Sequence, residues 1–353
     1  MSIINNYTPA WVLANGLDSD IVVSTRARLA RNLQGVPFPH KAEPADLSSI
    51  STHLCKVLCD FKENGFSFYK IMPSELQELE RLFLVDAHVS SYDQVETSKY
   101  NPLLLDSSGR IAVMINEEDH LRIQAILPGM AADESWKLVD RLDDLLADRV
   151  HYAFNESYGY LTASPGNMGT GLRISVMLHL GGLALMENAD AIARASQILG
   201  ISVRGAYGEG THALGDLYQI SNEISLGIPE TEIIQRVTGV AQHYINKEKE
   251  SRQYLYKNER KAIAELMRRT LEGIRCAETL NAQTSLHCIS ILRLGVCGGL
   301  VNGVDLPMLN DLILHLRTGD PSMWNISRYA EQQTEGARWN MFCRKLRKAE
   351  VMT

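Results

Sequence analysis

Apolar positions along the 353-residue chain change period as it proceeds. In 46–60 (DLSSISTHLCKVLCD), Leu47, Ile50, Leu54, Val57 and Leu58 recur at helical spacing behind polar starters, which predicts an amphipathic helix. SELQELERLFLVD at 74–86 predicts a second, opened by a Ser74 cap. The texture then shortens. Runs at 111–115 (IAVMI), 122–127 (RIQAIL), 173–180 (RISVMLHL) and 214–220 (LGDLYQI) are β-branched or bulky and bounded by Gly, Pro or Asn, so they predict strands. In RISVMLHL, Ile174, Val176, Leu178 and Leu180 alternate with Ser175, Met177 and His179, as in a half-buried antiparallel strand. Helical stretches near 133–149 and 187–199 lie between the strands. The pattern predicts an α+β fold, a mostly antiparallel sheet flanked by helices. From about 230 the period is helical throughout, with leucines at i, i+3, i+4 and i+7, which predicts a small all-α bundle. The expected boundary falls near 250, inside KEKESRQ, giving domains 1–250 and 251–353.

Composition fits a globular protein, with 45% apolar and 22% charged residues. The net charge of −7 excludes polycationic binding of nucleic acid by the whole molecule. It is unevenly spread: residues 1–246 hold 18 Lys and Arg against 30 Asp and Glu, net −12, while 247–353 hold 17 against 12, net +5. The second part is therefore the expected contact surface for an acidic partner. No window is apolar enough for a membrane span, and the N-terminus lacks a basic start and a long apolar run, so a cytoplasmic location is expected. Six dispersed cysteines, Cys55, Cys59, Cys276, Cys288, Cys297 and Cys343, show no metal-ligand spacing and predict mostly free, buried thiols.

Four segments concentrate chemistry. STRARLARN (24–32) holds Arg26 and Arg28 two apart, on one face if extended. SPGNMGTGLR (164–173) is a Gly-rich turn leading to Arg173, and RGAYGEG (204–210) starts with Arg204 at a strand end. Glycine lets backbone N–H groups approach phosphate oxygens, and arginine forks bind them bidentately. NEEDHLR (116–122) crowds Glu117, Glu118, Asp119, His120 and Arg122 at the end of the strand IAVMI. Taken singly, each segment reads equally as a tight turn, a solvated ion pair or an acidic surface turn. GNMGTG matches neither a Walker P-loop nor a dinucleotide fingerprint.

Together and in this order, the four segments resemble the signatures of the phosphagen (guanidino) kinase family, S-x-R-x-R, N-E-E-D-H-L-R, C-P-[ST]-N-x-G-T-G-x-R and R-G-x-x-G-E. The resemblance spans about 20–250. It implies the guanido kinase, glutamine-synthetase-like catalytic fold. The motifs begin within thirty residues of Met1, without the helical domain that creatine and arginine kinases place first, and a helical domain follows them. That layout is similar to the protein-arginine kinase branch. The resemblance implies ATP, with Mg²⁺ bound through the nucleotide and no metal held by the protein itself. It implies nucleotide contacts in Ser24, Thr25, Ala27, the strand start Ile174, Ser175, Val176 and Met177, and the loop Gly205, Ala206, Tyr207, Gly208 and Glu209. Arg26, Arg28, Arg122, Arg173 and Arg204 would clamp the phosphates, and His88 would contact the nucleotide, although on sequence alone it reads as structural.

Phosphoryl transfer needs in-line positioning and neutralisation of a polyanion, which suits preorganised arginines. A guanidinium is a poor nucleophile until carboxylates orient one nitrogen and take its proton. Glu118 and Glu209 match that pair, with Glu118 as the base. Ser164 stands where the family has a reactive cysteine; it is counted with the catalytic residues but lacks a thiolate's charge, so a slower reaction is expected. The stretch EGARWN (335–340) puts Glu335 and Trp339 where the branch carries two phosphoarginine-binding arginines. Three functions follow: a protein-arginine kinase, a small-molecule guanidino kinase, or an ATP-binding adaptor of low activity. The expected partners of the first are proteins with exposed arginine, a small activator protein, Clp-type protease machinery in a stress response, and a second copy in a homodimer, with no nucleic acid and no membrane.

Overall fold

The computed structural model describes residues 7–96, 99–186, 200–205, 213–278, 280–316 and 342–352. The expected helix at 187–199 lies outside them. The strands are β1 (Val22–Arg31), β2 (Phe68–Ile71), β3 (Leu103–Asp106), β4 (Ile111–Ile115), β5 (Leu121–Pro128), β6 (Phe154–Asn155), β7 (Gly159–Tyr160), β8 (Leu172–His179), β9 (Ile201–Gly205), β10 (Leu217–Asn222), β11 (Val301–Asn302) and β12 (Glu350–Val351). Eight form one antiparallel sheet in the order β2-β3-β4-β5-β1-β8-β10-β9. β6–β7 and β11–β12 are separate two-stranded ribbons. The expected α+β class and antiparallel sheet are thus present.

Helices α1 (Pro44–Cys59), α2 (Glu78–Asp86), α3 (Tyr92–Glu96), α4 (Ala132–Ala147) and α5 (Gly181–Leu185) accompany the strands. Helices α6 (Glu230–Asn258), α7 (Arg260–Cys276), α8 (Ala282–Cys297) and α9 (Leu306–His315) follow. α2 starts later than its Ser74 suggests: 73–75 form a short 3-10 turn, and a reciprocal Gln77–Glu80 capping box opens the helix. Thiol burial also departs from expectation. All six cysteines are free, but only Cys55 and Cys288 are buried, while Cys59 and Cys276 are exposed.

Alternation on the strands divides the interior. Ala27 and Leu29 of β1, Leu121, Ile123 and Ala125 of β5, and Ile174, Val176 and Leu178 of β8 pack with α1, α4 and α6 on one face. On the other face Leu103, Leu105, Ala112 and Met114 pack with α2, and a continuous core runs on into Ile263, Met267, Leu292 and Leu312 of the helical part. This second cover buries Ser175, Met177 and His179, so β8 is buried on both faces rather than half-buried, with Arg173 its partly exposed exception.

No break occurs at the expected boundary: α6 is one helix of 29 residues running through 250. Buried polar bonds join its two sides. Arg293 of α8 donates to the carbonyls of Ser19 (2.6 Å) and Asp20 (3.2 Å) and to Asn310 Oδ1 (2.7 Å). Arg252 donates to Glu248 Oε1 (2.6 Å), whose carboxylate accepts from the Gly182 and Leu183 amides at 2.8 and 2.9 Å. Satisfied networks of this kind tie two helical layers and the sheet into one arrangement.

Candidate active site

β1 runs through the middle of the site. A register shift between Val22 and Ser24 sets its phase, after which Ser24, Arg26 and Arg28 face one way. Arg28 stands opposite Arg173 on β8 and Gln124 on β5; Arg26 stands opposite Ser175 and Ile126. Arg122 lies one diagonal step from Arg28, opposite Ala30. On β10, Ser221 faces Ser175, and Gln219 faces Met177 on one side and Arg204 on the other. Extended strands with period two thus bring four arginines from three strands onto one polar face, and Arg204 joins them from the sheet edge.

Like charges opposite one another oppose folding. Burial, then the charges of Arg26, Arg122 and Arg173, push the Arg28 pKa well below the usual guanidinium range. Burial and then Arg204 and Arg122 lower that of Arg173. The Nε atoms of both side chains are buried without a hydrogen-bond partner among the described residues. Arg173 Nη2 donates only a long bond, 3.3 Å, to Ser221 Oγ. At the rim, Arg122 holds both oxygens of Glu117 (2.6 and 2.7 Å), and Arg204 donates to Glu223 (2.9 Å) and Ser202 Oγ (2.7 Å). Positive charge concentrated this way, with orphaned donors, fits a polyphosphate.

Beside the arginines lies a small open pocket lined by Ser24, Arg26, His88, Ile126, Ser175, Met177 and Gln219. His88 sits in a left-handed turn (φ 61°) after α2. Gln124 donates to its carbonyl (2.9 Å), and Trp11 lies against its ring with centroids 5.9 Å apart. Burial, reinforced by Arg26 and Arg28, drops the His88 pKa to about 3, so the imidazole is neutral at working pH.

The turn NEEDHLR divides its labour. Asn116 (φ 54°) donates to the carbonyls of Leu47 (2.9 Å) and Tyr100 (3.0 Å). His120 accepts from the Leu33 amide (3.0 Å) and donates to the Pro37 carbonyl (3.0 Å). Asp119 accepts from Asn32 and from the Ala163 amide (2.7 Å). That last bond stitches the turn to the loop of Ser164, one residue from Glu118 on one side and from Ser164 on the other. Glu118 alone turns outward: it is exposed, and burial of its partly covered carboxyl, then the Asp119 charge, raises its pKa.

The Gly-rich loop works differently from a phosphate cradle. Its amides at Asn167, Met168, Gly169, Thr170 and Leu172 already donate to Ser164, Pro165, Tyr160 and Ser225 carbonyls and to Thr170 Oγ1. Gly171 (φ 70°) is required because a Cβ there would lie 2.5 Å from Arg31 Nη1. Arg31 in turn is buried against Asp143 (2.7 Å), with Tyr160 under its guanidinium at 3.6 Å. The glycines therefore position Arg173 and Ser164 by close packing.

Several predicted nucleotide residues fall on the opposite face. Thr25 donates to the Gly129 carbonyl (2.6 Å), and Ala27, Ile174 and Val176 sit in the core under the sheet, because adjacent strand residues alternate. Their side chains do not meet the arginine face. Ser24, Ser175 and Met177 do line the cavity. Gly205 ends β9 beside Tyr218. Ala206, Tyr207, Gly208 and Glu209, like EGARWN, lie outside the described residues. Sequence alone assigns no role to Gln124, Gln219 and Ser221; each sits two residues, or one cross-strand step, from a recognised position, and strand register brings them beside the arginines. Among the described residues no three His, Cys, Asp or Glu side chains gather as a metal would need.

A polar sheet face of arginines for a polyanion, next to an outward carboxylate of raised pKa for a cation, defines a phosphotransferase acting on a cationic acceptor. The chain belongs to the ATP:guanido phosphotransferase family, whose C-terminal catalytic domain matches residues 49–251. It is 40% identical over 319 residues to a protein-arginine kinase of Pelotomaculum thermopropionicum, covering 89% of each chain. It is 36% identical over 337 residues to that of Caldanaerobacter subterraneus, covering 95% of this chain and 97% of the other. Among solved structures it resembles lombricine kinase (TM-score 0.56, 23% identity, 72% and 71% of the two chains). It also resembles the duplicated taurocyamine kinase of Schistosoma mansoni with bound transition-state analogue components (TM-score 0.57, 22% identity, 81% of this chain and 41% of the other). These two likenesses concern the fold.

Proposed function

We propose that the protein transfers the γ-phosphate of ATP to a guanidinium nitrogen of arginine side chains in proteins. The observation that carries the chemistry is the outward, proton-hungry Glu118 bonded through its neighbour Asp119 to the Ser164 loop, beside the arginine face. Arg26, Arg28, Arg122, Arg173 and Arg204 hold the triphosphate, and the cavity between His88 and Gln219 takes the adenosine end. When bound through the nucleotide, Mg²⁺ would supply further neutralisation of the phosphate charge beside these arginines. Glu118 orients the acceptor and accepts its proton as the nitrogen–phosphorus bond forms; the bond from γ-phosphorus to the bridging oxygen breaks, and ADP leaves with that electron pair. Glu209 supplies the second carboxylate in this reading. The names of the curated relatives favour a protein acceptor over a free guanidine.

In the same reading the basic part after 250 is a docking or dimerisation element and the enzyme works in the cytoplasm. There it serves a stress response, with a small activator protein and Clp-type protease machinery as partners. Ser164 favours one second reading, an ATP-binding adaptor of low turnover. Labelled ATP offered with a denatured protein, free arginine or creatine separates these. Acid-labile label on protein supports the proposal; label on free arginine alone overturns it, and ATP binding without transfer supports the adaptor.

A further inference from the structure

The β6–β7 hairpin carries apolar surface that phosphoryl transfer does not use. Phe154 and Tyr158 are 57% and 53% exposed, and Ile224 and Leu226, after β10, are 50% and 40% exposed. They belong to adjoining segments. A Cβ on Gly159 would lie 2.5 Å from the Gly169 carbonyl oxygen, and one on Gly169 would lie 2.7 Å from Leu226 Cα. Tyr160 N–H donates to the Gly169 carbonyl (2.8 Å), and Ser225 Oγ donates to that of Met168 (2.9 Å). Single exposed hydrophobes are ordinary on any surface, whereas a group gathered on neighbouring loops marks an interaction site.

The hairpin is also bonded to the catalytic turn. Asn32 accepts from the Ala153 amide (2.7 Å) through its carbonyl, and its side-chain amide donates to the Leu161 carbonyl (3.1 Å) and to Asp119. Asp119 is the residue after Glu118. Tyr158 stands three residues from Leu161, about 10 Å of extended chain. Glu156, exposed between Phe154 and Tyr158 in the chain, and exposed Glu118 on the bonded catalytic turn both carry negative charge.

We propose that this surface docks the polypeptide that presents the acceptor arginine: an extended segment, cationic overall, with aromatic or aliphatic residues a few positions from the arginine. Charge complementarity with Glu118 and Glu156 and the bonded path from the hairpin to the catalytic turn support this occupant. The inference rests on the protein-acceptor reading above. The glycines that press the hairpin, the 166–171 loop and 225–226 together then have a second purpose, holding the docking surface in fixed relation to Glu118.

The test uses the full chain and two fluorescent arginine peptides of equal charge, one with Phe and Leu near the arginine and one with Gly and Ser there. Anisotropy and steady-state kinetics are measured for the wild type, for Phe154→Ser/Tyr158→Ser and, independently of the hairpin, for Ile224→Ser/Leu226→Ser. The wild type should prefer the apolar peptide by about tenfold in Kd and KM, the effect of roughly one half-buried apolar side chain. Either double variant should bring that preference near one, with ATP KM and kcat at saturating peptide retained. Equal handling of the two peptides by the wild type, or a preference that survives both variants, overturns the docking surface while leaving the protein-acceptor reading intact. Transfer to free arginine with none to either peptide overturns both.

Discussion

Glu118 differs from Glu117, its neighbour in sequence, only through what surrounds it. Glu117 is consumed by Arg122, whereas Glu118 points out with its pKa raised by burial first and Asp119 second. In the proposed base role the ionised carboxylate is the active form, so turnover should fall as pH drops through that raised pKa, giving an acid limb above the usual glutamate range. Neutral His88, with its pKa near 3, adds no limb near neutrality. Glu118→Gln should lower kcat by about 10²–10⁴-fold and abolish the acid limb while ATP still binds. Retained turnover in that variant would remove Glu118 from the base role. Ser164 stays uncharged near neutral pH, so Ser164→Cys should raise turnover by supplying partial thiolate; unchanged rates across pH 7–9 would show that the position does not limit the reaction.

At the scale of elements, the site is a property of strand register. The sequence alone showed that Arg26 and Arg28 share a face, because extended residues two apart must, and it showed Arg173 and Arg204 leading into or ending strands. It did not show which strands are neighbours. The pairing of Arg28 with Arg173, the diagonal to Arg122 and the approach of Gln219 follow from long-range order in the sheet, which local pattern does not encode. For the same reason contiguous motif stretches mix the two faces: the side chains of Thr25, Ala27, Ile174 and Val176 are buried under the sheet, between residues whose side chains lie on the arginine face. The arginine face is held together against its own repulsion, so Arg28→Leu should stabilise the nucleotide-free protein by about 1 kcal/mol and remove most of the ATP-dependent rise in Tm. A destabilised variant with an undiminished ATP shift would refute the assignment.

Across the whole molecule, the charge step near 247 and the switch to helical period both suggest a division that the packing bridges. α6 passes through it, and Arg252 and Arg293 reach back to the N-terminal segment. Buried polar bonds of this kind leave no periodic trace in sequence, which is why the boundary looked sharper there. They also set acid stability. Folded His88 and His179 have pKa values below the ordinary histidine value, chiefly through burial, so the unfolded chain binds more protons as pH falls below about 6.5. The contribution of these two imidazoles is full above that pH and is lost as pH falls toward 4, so the denaturant midpoint of His179→Gln should fall less over that range than that of the wild type; equal falls would contradict the neutral buried imidazole. The account as a whole meets its most direct test in mass spectrometry of a denatured protein incubated with ATP, Mg²⁺ and either the wild type or Glu118→Gln. It predicts phosphate on arginine side chains with the wild type and at least a hundredfold less with the variant. Phosphate absent from arginine, or equal with both proteins, would contradict it.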